Sequence, residues 1–99
     1  HEDRKKLFFL IDELCAQEQV RCIYAHGPLH ETIARNSKET IDEINAVISG
    51  AKHIIPLTRV FAYPNEKIGD SIDHVNTAFK AEVTREYFEM IKPFFAPLP

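Results

Sequence analysis

The chain has 99 residues, 44% of them hydrophobic and 27% charged, with a net charge of −3 and a pI near 5.9. That length makes one domain able to bury a core without metal or disulfide staples, and the composition excludes wholesale disorder. No basic run exceeds Arg4-Lys5-Lys6 and no apolar run nears the roughly 18 residues that span a bilayer, so neither nucleic acid nor membrane is an expected partner.

Leu7, Leu10, Ile11, Leu14 and Cys15 recur at helical spacing, widened by Phe8 and Phe9, and predict an amphipathic first helix. Its register runs on through Cys22, Ile23 and Ala25 to Gly27, a left-handed stop ahead of Pro28. The alternative is a helix ending near Gln17 followed by a short β-rich segment over 20–25. On one continuous helix Cys15 and Cys22 lie about 10 Å apart, beyond disulfide reach. They then read as reduced thiols in a cytoplasmic protein, unless the helix breaks between them.

Pro28 suits a first helical turn, and a second helix is predicted over 29–51, ending at Gly50. Along it Ile33, Ser37, Thr40, Ile44, Val47 and Ala51 step 4-3-4-3-4, the spacing of a helix-pairing seam. Outward pairs Glu31–Arg35, Arg35–Glu39 and Lys38–Asp42 lie four apart and support it. Over 52–66, Pro56 and Pro64 bracket an apolar stretch that suits a short helix or an edge strand. A third helix is predicted from Asp70 or Ser71, both good N-caps, through Ile72, Val75, Phe79, Val83, Tyr87 and Met90 to Ile91. Pro93 stops it, leaving 94–99 as an extended apolar tail. The expected fold is therefore all-α: a single domain over 1–99, open to being an excised piece of a longer protein, built as an antiparallel bundle of three long helices with a short fourth element. The alternative is an α/β arrangement with two short strands, at 20–25 and 54–63.

Ile68-Gly69-Asp70-Ser71-Ile72 resembles the attachment motif of acyl and peptidyl carrier proteins, where Asp-Ser-Leu/Ile opens a helix. The resemblance covers about five residues and implies a phosphopantetheine on Ser71, its phosphate favoured by the helix N-terminus. Only 28 residues follow Ser71, too few for the rest of a carrier's helices. The same letters resemble the nucleophile block of the GDSL hydrolases, which need a parallel sheet and a distant Asp-x-x-His. His26 and His30 stand four apart, but Gly27 and Pro28 between them break a helical metal-ligand geometry. The clusters Glu39/Asp42/Glu43 and Glu82/Glu86/Glu89 read as solvated helix faces with basic neighbours. No metal or other cofactor, and no catalytic group, is expected.

Surplus apolar surface is the remaining feature. Phe8, Phe88, Phe94 and Phe95 exceed what three stripes require, and large exposed patches mark contact sites. The expected function is non-enzymatic: a regulatory or oligomerisation domain that binds a protein partner or itself as a homodimer. A carrier-like domain modified at Ser71 is the alternative.

Overall fold

The computed structural model describes residues 2–68 and 75–95. It overturns the all-α bundle. Helix accounts for 59% of it, and four short strands form two parallel pairs, so the fold is mixed α/β. The elements run α1 (Glu2–Gln17), β1 (Ile23–Ala25), β2 (Leu29–His30), α2 (Glu31–Asn36), α3 (Lys38–Ile48), β3 (Ile55–Leu57) and β4 (Ala62–Tyr63). A 3-10 turn (Thr77–Phe79) then leads into α4 (Lys80–Phe95).

The first helix stops at Gln17 rather than Gly27 because Gln19 takes the left-handed conformation, φ 56°. Val20 N–H donates to the Cys15 carbonyl at 3.0 Å and Gln19 N–H to the Ala16 carbonyl at 3.2 Å, the six-to-one and five-to-two bonds of a Schellman end. Gly27 has no positive φ and closes nothing. A left-handed residue bearing a Cβ costs about 1 kcal/mol relative to glycine. Gln19→Gly is therefore expected to raise the Tm by about 4–8 °C in thermal melts followed by circular dichroism.

With the helix broken, the chain reverses and Cys22 returns to Cys15. Their Cα atoms are 6.3 Å apart and the sulfurs are bonded, so the reading of two reduced thiols is also corrected.

β1 pairs with β3 in the register Ile23↔Ile55 to Ala25↔Leu57, and β2 pairs with β4 as Leu29↔Ala62 and His30↔Tyr63. The offset grows from 32 to 33 residues between the two pairs. One extra residue on the later side, between Leu57 and Ala62, thus separates the two parallel pairs. α2 and α3 form the helical crossover that two parallel strands require. Leu29 and His30, expected to be helical, pair as strand instead. The 29–51 helix is split at Ser37 (φ −105°, ψ 17°). Of the expected ion pairs, Lys38–Asp42 is present at 2.8 Å, while Arg35 reaches the Thr32 hydroxyl.

The last helix starts at Lys80, not near Asp70. Ile68 and Val75 pair as an antiparallel bridge, and Asn76 caps the 3-10 turn through Ala78 N–H. At its far end α4 runs through Pro93 to Phe95, so Phe94 and Phe95 are helical rather than an extended tail. Pro93 removes a single donor, and the Phe94 carbonyl in that last turn accepts from the Arg21 guanidinium.

Phe61, Tyr63, Ile68 and Val83 form the core, with Val75, Tyr87 and Met90 packed against it. Cys15, Ile48 and Ile54 are buried as well. The molecule is a slab of 42 × 40 × 17 Å with a radius of gyration of 15.1 Å, against about 13 Å for a compact chain of this length. A body two layers thick leaves one face of each outer element to solvent.

Candidate interaction surface

Successive residues of α1 are 100° apart around its axis. Phe8, Asp12 and Cys15 therefore share one side, and Leu7, Leu10, Ile11 and Leu14 share another. The first side faces the body: Asp12 and Cys15 are buried, and the Phe8 ring meets Phe9 and Tyr24 edge-on at 5.2 and 6.1 Å. The Phe9 ring lies 3.6 Å from where a Cβ on Gly50 would stand, an ordinary packing distance.

Asp12 fixes which side turns inward. Its carboxylate accepts the backbone N–H groups of Lys52, His53 and Ile54 at 2.9, 2.9 and 2.7 Å. Burial alone would raise its pKa, but the three donors outweigh that and hold it below the usual 3.8.

Among the described residues no element packs over the second side. Leu7, Leu10, Ile11 and Leu14 are 56, 54, 43 and 46% exposed. They span an arc of about 100°, the width of stripe that a helix normally buries against a core. This is the largest departure from the sequence reading, which assigned these residues to packing and took the phenylalanines as the surplus.

The four singled-out phenylalanines do not form one site. Phe8 is half-buried within the fold, on the wall of a groove of about 490 Å³ between α1 and α3 that Tyr24, Ile44 and Val47 also line. Phe94 is half-buried. Phe88 and Phe95 are 59 and 52% exposed and lie seven apart on one face of α4, with the Lys92 ammonium 5.9 Å from the Phe88 ring. Spacing in the sequence could have flagged the α1 stripe, because Phe8, Phe9, Cys15 and the leucines together cover more than one helix face can bury.

The polar candidates are occupied structurally. His30 Nδ1 accepts from Thr32 N–H at 3.0 Å, capping α2, so its proton is on Nε2, which meets Asn65 Oδ1. His26 Nε2 meets Asn45 Oδ1 at 2.6 Å, and Asn45 donates to the Thr58 carbonyl at 3.2 Å, tying α3 to the ends of β1 and β3. Tyr87 donates to the His26 carbonyl at 2.7 Å and Tyr63 to Glu86 at 3.2 Å. Burial, with the Glu86 charge beside it, pushes the Tyr63 phenol well above its ordinary value, so it stays neutral.

Of the acidic clusters, Glu82 pairs with Lys67 at 2.9 Å and Glu89 with Lys92 at 3.0 Å. Among the described residues no three metal-binding side chains converge, and no helix is long and apolar enough to cross a membrane. Ser71 lies outside the described residues, and the long helix it was expected to open begins instead at Lys80.

No protein-family model, curated protein or solved structure matches the chain. The functional reading therefore stands on the surface itself.

Proposed function

We propose that this is a non-enzymatic protein-interaction domain whose contact surface is the outer face of α1. One observation carries the reading: Leu7, Leu10, Ile11 and Leu14 form a complete apolar stripe that no element among the described residues covers. Scattered exposed apolar side chains are ordinary, but four on one helix face are not. The polar groups support it from the other side, since His26, His30, Tyr63, Tyr87 and Glu86 are engaged in capping and cross-linking the fold. The cytoplasmic setting rested on reduced cysteines; with Cys15 and Cys22 bonded, an oxidising compartment is the better match.

The test is Leu10→Lys combined with Leu14→Lys. Both side chains are about half exposed, so the variant should unfold within roughly 0.5 kcal/mol of the parent. Association measured by pull-down and sedimentation should be lost. Equal association by both proteins, or none by either, would refute the reading.

A further inference from the structure

The stripe suits a second copy of this chain, and we infer that two α1 helices pair antiparallel through Leu7, Leu10, Ile11 and Leu14. This rests on taking the α1 face as the contact surface, and it names the occupant from charge. Lys6 and Glu13 stand seven residues apart on the same edge of the stripe, lining one shallow exposed depression with Leu10. Within one helix they are separated by about 10 Å along the axis, too far to meet.

An antiparallel pair related by a two-fold axis near Leu10 reverses one helix against the other. Each Lys6 then lies level with Glu13 of the second copy, on the same edge, twice over. That axis falls within about one residue of the middle of the apolar stripe, so apolar and charged registers agree. A parallel pair has no such match: each lysine stays about 10 Å along the axis from either glutamate. The basic start and acidic finish of the helix thus act as a polarity label, as edge charges do in paired helices. The body attaches on a different side of α1, through Phe8, Asp12 and Cys15, centred about 120° around the helix from the stripe.

The experiment is sedimentation equilibrium of the disulfide-intact chain over roughly 1–300 µM, a range that brackets the weak, small-interface class. Lys6→Glu and Glu13→Lys are measured singly and together, each checked for unchanged circular dichroism. A monomer–dimer equilibrium is expected; each single reversal should raise the Kd about tenfold and the double reversal should restore it. A dimer in which the double variant is no tighter than the singles overturns the antiparallel pairing, as does one indifferent to Leu10→Lys. A chain that stays monomeric also overturns it. If Leu10→Lys then still abolishes binding of a different protein, the contact-surface reading survives without self-pairing; if no binding to anything is found, both fall.

Discussion

Asp12→Ala is expected to be the most damaging single substitution in α1, lowering the Tm by on the order of 10 °C or more. The carboxylate is 3% exposed and serves three consecutive backbone donors, at Lys52, His53 and Ile54, that lie some forty residues away in sequence. Alanine leaves those N–H groups without their acceptor, at a buried bond for Ile54 and part-buried ones for Lys52 and His53, and an unmet buried donor costs more than the mean worth of a hydrogen bond. It also unhooks α1 from the turn after α3. Hydrogen exchange reads this directly: the amides of residues 52–54 should be protected in the parent and exchange rapidly in the variant. Asp12→Asn should fall between the two, since one amide oxygen can still accept while the NH2 group faces donors.

The same carboxylate gives a pH signature. Its folded pKa is held below the ordinary 3.8, so the stability it contributes is complete above that value and disappears as pH falls through the folded one. The parent should lose stability steeply in acid below about pH 4. Asp12→Asn should show a shallower slope there and an unchanged one between pH 5 and 8.

The bodies of the helices could be read along the chain, but the mixed α/β fold and the direction in which α1 faces could not. Spacing reveals that Leu7, Leu10, Ile11 and Leu14 share a side; it does not reveal whether that side is covered. The deciding residue is a charged one on a different side, and a buried aspartate looks like a solvent-facing one until the distant donors that satisfy it are known. The strands were hidden for a different reason. Segments of two and three residues are too short to show alternation, and their partners lie 32 or 33 positions away. Leu29 and His30 follow a proline suited to starting a helix, yet pairing with Ala62 and Tyr63 overrides that local preference.

In the same way Asp70-Ser71 has good capping chemistry, while α4 begins at Lys80 after the Ile68–Val75 bridge. Where local and long-range signals agreed, as over most of α3 and α4, the helices are where periodicity puts them. The alternative reading, strands near 20–25 and 54–63, anticipated β1, β3 and β4 because it took β-branched and aromatic content over helical register.

Reduction of the Cys15–Cys22 bond, or its replacement by Cys15→Ser with Cys22→Ser, should cost about 2.5 kcal/mol, the chain-entropy value for so short a loop. In a domain of this size that corresponds to a Tm fall of roughly 10–20 °C, measured by melting with and without reductant. The consequence extends beyond stability. The bond, the left-handed turn at Gln19 and the Asp12 carboxylate all hold one side of α1 against the body, and by doing so they aim the leucine stripe outward. Reduction should therefore weaken self-association even at temperatures where the rest of the fold survives. The bond and the aspartate act on one docked helix, so they should not be independent: with α1 already loosened by Asp12→Ala, the bond has less native geometry to preserve. The triple variant is expected to lose less stability than the separate losses combined, and a double-mutant cycle measures the difference. Strict additivity would mean that the aspartate and the disulfide stabilise separate parts of the chain, and that neither governs how α1 presents its outer face.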